Sequence, residues 1–91
     1  MLVFERTVTI INRRGLHARA AAKFVKIVEN QKANVTVCKD GNEVCGSSIM
    51  GLLMLSASIN TNIRIVTEGE GAQETLHDLA TLIESRFGEE A

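Results

Sequence analysis

The sequence predicts an α+β fold in the order β-α-β-β-α-β-α, with one four-stranded sheet covered on a single face by three helices. Three observations carry this. Two segments, Ala18 to Asn30 and Ala72 to Phe87, place apolar residues at helical spacing. Two short runs rich in β-branched residues flank Asp40-Gly41, a pair suited to a two-residue hairpin turn. Two further β-branched runs, Val3 to Ile11 and Ile63 to Glu68, complete the four strands.

The first strand, VFERTVTII, sets Phe4, Val8 and Ile10 on one face, with Arg6 interrupting the alternation near the edge. Asn12-Arg13-Arg14-Gly15 is polar and ends in glycine, a connection. The first helix then offers Ala21, Phe24, Val25 and Val28 to a core. In the hairpin Val35–Lys39 and Asn42–Cys45, a turn at Asp40-Gly41 sets Lys39 opposite Asn42, Cys38 opposite Glu43 and Thr36 opposite Cys45. The two cysteines then lie diagonally on one face, about 7 Å apart, farther than a disulfide normally spans, so two free thiols are expected. Ser47-Ser48 supplies an N-cap for a short helix from Ile49 to Leu55. The closing helix carries Ala72, Leu76, Leu79, Ala80, Ile83 and Phe87 on one stripe and leaves His77 beside it, exposed.

Composition narrows the function. A chain of 91 residues with 45% hydrophobic content fits one compact domain, residues 1–91, expected to fold alone as a monomer. No apolar run approaches the roughly 20 residues that span a bilayer, and MLVFERTVTI lacks the apolar block and cleavage site of a signal peptide, so a cytoplasmic protein without membrane contact is expected. Residues 1–45 hold eight Lys/Arg against four Asp/Glu, and residues 46–91 hold two against seven, which makes the first half the anion-facing side. Three Phe and no Tyr or Trp leave no platform on which bases stack, and a net charge of −1 argues against duplex binding, so no nucleic-acid partner is expected.

The stretch GLHARAAAKF, Gly15 to Phe24, sets His17 and Arg19 at a helix start, where a hydroxyl or acid is usual. Unpaired N–H groups and partial positive charge disfavour a cation there by a few tenths to about 1 kcal/mol. An anion held by those N–H groups and by Arg19 removes the conflict, and a phosphoryl group is the common choice. A neutral His17 imidazole inside that cradle is a nucleophile, and a phosphohistidine's charge would sit against the N–H groups and Arg19. The same histidine also reads as a solvated or capping residue, and residue spacing leaves both readings open. A metal site is not expected, because His17 and His77 are 60 positions apart and neither stands at a ligand spacing from Cys38 or Cys45; no cofactor is called for.

Gly15-Leu16-His17-Ala18-Arg19-Ala20-Ala21-Ala22-Lys23-Phe24 resembles the active-site signature of HPr, the histidine-containing phosphocarrier family of the bacterial phosphoenolpyruvate-dependent phosphotransferase system. Ser47-Ser48-Ile49-Met50-Gly51-Leu52-Leu53-Met54-Leu55 resembles the regulatory-serine segment of the same family, and the 31 positions from His17 to Ser48 match it. The resemblance covers essentially the whole chain. It implies an HPr-like open-faced β-sandwich with an antiparallel sheet. It further implies that His17 accepts a phosphoryl group on Nδ1 from phosphorylated enzyme I and passes it to a histidine of an EIIA-type protein, with Arg19 orienting and neutralising the phosphate. Ser48 would be the target of HPr kinase/phosphorylase in organisms that have it. A phosphate at that helix start is tolerated by the dipole but sets negative charge beside the docking surface. Read without the family, Ser48 is simply an N-cap.

Docking is expected on Ala22 of the first helix and on Ile49, Met50 and Leu53, since a helix as short as the second leaves some of Ile49, Met50, Leu52, Leu53, Met54 and Leu55 exposed. Three positions depart from the family's pattern. Ala20 stands where proline usually pre-sets the first turn, and a looser turn is expected. Arg14 stands before the glycine where some members carry a small polar residue, and either adds charge to the site or points into solvent. Ser58-Ile59-Asn60-Thr61-Asn62 replaces a turn that commonly holds glycine, with Asn60 or Asn62 able to take positive φ. Leu52-Leu53-Met54-Leu55 is similar to the nitrogen-related branch and Ser47-Ser48-Ile49-Met50-Gly51 to serine-regulated carriers; the reading favours the latter. His17 has no acidic partner in its own loop, which suits a carrier better than a stand-alone enzyme. A ferredoxin-like small-ligand regulatory domain without phosphotransfer shares the first six elements and is the alternative.

Overall fold

A computed structural model describes residues 2–91. The elements are β1 (Val3–Thr9), α1 (Ala18–Glu29), β2 (Asn34–Lys39), β3 (Asn42–Cys45), α2 (Ile49–Met54), β4 (Asn62–Glu68) and α3 (Ala72–Glu84), followed by a 3₁₀ turn at Arg86–Gly88. The strands pair in the order β1-β4-β2-β3, every pair antiparallel. Three helices cover one face and leave the other open, the expected open-faced sandwich.

Alternation decides which face is covered. Val8 of β1, Val35 and Val37 of β2, and Ile63 and Ile65 of β4 point inward and are buried. They meet Ala21, Phe24, Val25 and Val28 of α1, Leu52 of α2, and Leu76, Leu79, Ala80 and Ile83 of α3. Arg6 points the same way but sits on the edge strand, where it donates to Glu84 at the end of α3 at 2.8 Å. The open face carries the exposed pair Arg64 and Glu5 at 3.2 Å, an ion pair of little consequence for stability.

The hairpin has the expected register, Lys39 opposite Asn42, Cys38 opposite Glu43 and Thr36 opposite Cys45. Both cysteines are free, Cys38 buried and Cys45 exposed. Burial pushes the Cys38 thiol up, whereas hydrogen bonding from Ser47 lowers that of Cys45.

Two ends differ from expectation by more than one residue. β1 stops at Thr9 rather than Ile11, because the ladder ends at Thr9 opposite Asn62. Ile10 instead exchanges hydrogen bonds with the following turn, donating to Thr61 at 2.9 Å and accepting from Asn60 at 2.7 Å. Asn60 takes the positive φ, +70°, that this turn requires. The last helix stops at Glu84 rather than Phe87. Arg86, Phe87 and Gly88 adopt φ of +59°, +54° and +79°, and the chain turns back on itself. Left-handed backbone at two non-glycine residues costs of order 1 kcal/mol each. Complete burial of the Phe87 ring, about 1.5–3 kcal/mol by transfer, offsets it.

Candidate functional site

His17 is the N-cap of α1, with extended backbone (φ −77°, ψ 177°) and no side-chain cap on the first turn. The first helical hydrogen bond, Ala21 N–H to His17 O, measures 2.8 Å. The N–H groups of Ala18, Arg19 and Ala20 therefore point out of the helix without an intrahelical acceptor, and the first turn holds no acid. The turn closes although Ala20 replaces proline. Ala20 itself is fully buried, which fixes its backbone by packing.

Two features position the loop ahead of this turn. Gly15 has φ +66°, and a Cβ there would stand 2.6 Å from the Ala57 carbonyl, so only glycine fits. That carbonyl accepts from Leu16 N–H at 2.9 Å, tying the histidine loop to the segment that leaves α2. Arg14, Leu16 and His17 line a small hollow with Ser56, Ala57 and Ser58.

The imidazole does have an acidic partner, contributed by the C-terminal tail. His17 Nε2 hydrogen-bonds the carboxylate of Glu89, 72 positions away. The other carboxylate oxygen accepts from Asn12 Nδ2 at 3.0 Å, and the same amide donates to Gly15 O at 2.8 Å. The His17 and Asn12 hydrogen bonds hold the Glu89 carboxyl below its ordinary range, and Arg14 adds to this by charge. A carboxylate only accepts, so the proton of the neutral ring lies on Nε2, and the lone pair on Nδ1. Asn12 is fully buried and its Oδ1 has no partner among the described residues.

Arg14 and Arg19 are both exposed, and neither enters an ion pair among the described residues. Both flank the histidine in sequence, and Arg14 shares its hollow. Ser48 caps α2, its Oγ accepting from Gly51 N–H at 2.9 Å. It stands at the end of α2 away from His17, and a six-residue helix is about 9 Å long. Ala22, Ile49 and Met50 are exposed, whereas Leu53 is half-buried against the core. Met54 is the most exposed large apolar residue of α2, at 77%. Helical spacing brings it beside Met50.

Sequence reasoning missed Asn12 and Glu89, and among the apolar residues of the second helix it favoured Leu53 over the more exposed Met54. Asn12 carried a weak signal as a lone amide after a strand and before a glycine turn. Nothing local to Glu89 pointed to it.

Residues 4–85 match the family model described as "PTS HPr component phosphorylation site". The chain belongs to the HPr family. It is 41% identical over 87 residues to the phosphocarrier protein HPr of Cupriavidus necator, covering 96% of this chain and 98% of that one. It is 34% identical over 89 residues to the phosphocarrier protein NPr of Shewanella violacea, covering 98% of each. The fold superposes on the crystal structure of HPr-C-His from Thermoanaerobacter tengcongensis with a TM-score of 0.93, at 40% identity and covering 97% of this chain and 99% of that one. An HPr or NPr phosphocarrier of the phosphotransferase system is thereby established, and the ferredoxin-like alternative falls away. No helix among the described residues is long and apolar enough to cross a membrane.

Proposed function

We propose that His17 carries the phosphoryl group, taking it on Nδ1 from phosphorylated enzyme I and passing it to a histidine of an EIIA-type protein. The observation that carries this reading is the helix start: an imidazole at the N-cap of α1, followed by three outward N–H groups and no acid in the first turn. Such an end binds an anion through aligned N–H donors and the helix dipole. Arg19 and Arg14, exposed and in no ion pair among the described residues, supply the positive charge that a phosphoryl group needs. Exposed Ala22, Ile49 and Met50, with half-buried Leu53, form the docking surface for both partners, and Met50 offers an unbranched, adaptable contact. Ser48 is the regulatory site, where a kinase exists for it. Its phosphate would replace a cap hydrogen bond and set negative charge one residue from Ile49. The 91 residues act as one domain, a cytoplasmic monomer that is consumed and regenerated as a carrier.

Intact-mass spectrometry at alkaline pH, after incubation with phosphoenolpyruvate, Mg²⁺ and a trace of bacterial enzyme I, tests this. One added phosphate that is lost in acid and absent from His17→Ala is the expected result. A folded wild-type chain that gains no phosphate from several enzyme I sources overturns it.

A further inference from the structure

The helix start explains where a phosphoryl group would be held, but not which imidazole nitrogen receives it. That choice depends on what occupies the other nitrogen. In this chain Nε2 is occupied by Glu89. We propose that Glu89 is a positioning residue: it holds the proton on Nε2, leaves Nδ1 as the nucleophile, and balances the positive charge the ring acquires as the N–P bond forms. The proposal rests on the reading of His17 as phosphoryl acceptor.

The carboxylate is built into place. Phe87 anchors the tail in the core with no exposed surface. Its carbonyl accepts from Lys23 Nζ of α1 at 2.6 Å. Beyond Glu89, Arg13 N–H donates to Ala91 O at 3.0 Å. Between these two fastenings, Asn12 holds one oxygen of Glu89 and His17 the other. The Asn12 amide is buried and also bonds Gly15 O, so the carboxylate is referenced to the same glycine turn that sets the histidine loop. Tail, loop and ring form one hydrogen-bonded unit.

The transfer step then balances without moving a proton. The Nδ1 lone pair of His17 forms the new N–P bond as the bond from phosphorus to the donor atom of phosphorylated enzyme I breaks, and the electron pair of that bond returns to the donor atom. The Nε2 proton stays on His17, whose ring becomes formally cationic, and the facing Glu89 carboxylate neutralises it through a charge-assisted hydrogen bond. A phosphoryl group on Nδ1 would be held at the nitrogen opposite the one that meets Glu89, so the carboxylate faces the ring's Nε2 rather than the new N–P bond. A hydrogen bond that strengthens only as charge develops acts on kcat rather than on binding.

The test uses the full chain with ¹⁵N-labelled histidine, as wild type, Glu89→Gln and Glu89→Asp. Each is examined by imidazole ¹⁵N–¹H spectroscopy and by its rate of phosphorylation with phosphoenolpyruvate, Mg²⁺ and enzyme I over a range of carrier concentrations. The wild type should show a slowly exchanging, hydrogen-bonded Nε2–H on His17. Glu89→Gln should weaken that signal and lower kcat roughly tenfold, the loss of one charge-assisted hydrogen bond, with KM unchanged. Glu89→Asp should recover part of both. A Glu89→Gln chain with the wild-type Nε2–H signal and kcat overturns the proposal, and so does a rise in KM alone, which would make Glu89 a docking residue. A wild type that takes no phosphate brings down the carrier reading itself, and this assignment with it; a phosphorylated wild type with an unaffected Gln variant brings down Glu89 alone.

Discussion

The Glu89 carboxylate and the His17 imidazole, at opposite ends of the sequence, share a hydrogen bond at the mouth of α1. The contact occupies Nε2 of the ring and leaves Nδ1 free of it. It also makes the last residues of the chain part of the site rather than an appendage.

The first prediction concerns pH. Glu89 has its carboxyl lowered, first by the His17 hydrogen bond and then by that of Asn12, from an ordinary value of 4.5. A group depressed in the folded state contributes stability that is present above the unfolded value and lost as pH falls through the folded one. The tail should therefore stay docked at neutral pH and release only below about pH 4.5, the ordinary carboxyl value. Carboxyl-carbon NMR titration should find Glu89 below the ordinary glutamate value. Asn12→Ala should move it upward, and an unchanged titration in that variant would show that Asn12 does not hold it.

Gly15 should be the more costly of two left-handed glycines to replace. Gly15 and Gly41 have φ of +66° and +84°, but a Cβ at Gly15 would lie 2.6 Å from a carbonyl oxygen, whereas at Gly41 nothing lies within 4 Å. Gly41→Ala should cost about 1 kcal/mol from backbone strain alone. Gly15→Ala adds the clash and should cost about 2–4 kcal/mol in denaturant unfolding. Equal costs would mean that the loop from Ala57 to Ser58 yields without penalty.

Ser48→Ala should cost about 1 kcal/mol, because the hydroxyl accepts from Gly51 N–H and no other side chain caps α2. Ser48→Asp should restore most of that stability, since a carboxylate accepts the same hydrogen bond and suits the helix start. Chemical denaturation of the three chains distinguishes a capping serine from a bystander. A loss of phosphoryl transfer in the stable Ser48→Asp chain would then report charge at the docking surface rather than unfolding.

Cys45 should react with iodoacetamide well before Cys38. Cys45 is exposed and its thiol is lowered by Ser47, while Cys38 is buried and its thiol raised by desolvation. Peptide mapping after brief alkylation should find the label on Cys45. Label divided evenly would show that β2 and β3 open on that timescale.

The sequence by itself determined every element that short-range physics can specify. Apolar spacing placed α1 and the inward stripe of α3, Asp40-Gly41 set the hairpin register, and Ser48 marked the start of α2, each because the signal lies within a few positions. The cation-bearing helix start after Gly15 was legible for the same reason, and with it the family. Tertiary structure decided the rest. Met54 and Leu53 look alike in sequence, and only packing against the core makes one exposed and the other half-buried. The helical stripe through Phe87 was the right burial from the wrong backbone: left-handed residues, not a further helical turn, bring the ring inside and reverse the chain. That reversal carries Glu89 back to His17 and Asn12. No sequence pattern spans 72 positions, because the contact exists only once the sheet, α1 and α3 have packed and brought the loop after β1 and the C-terminal tail to one place.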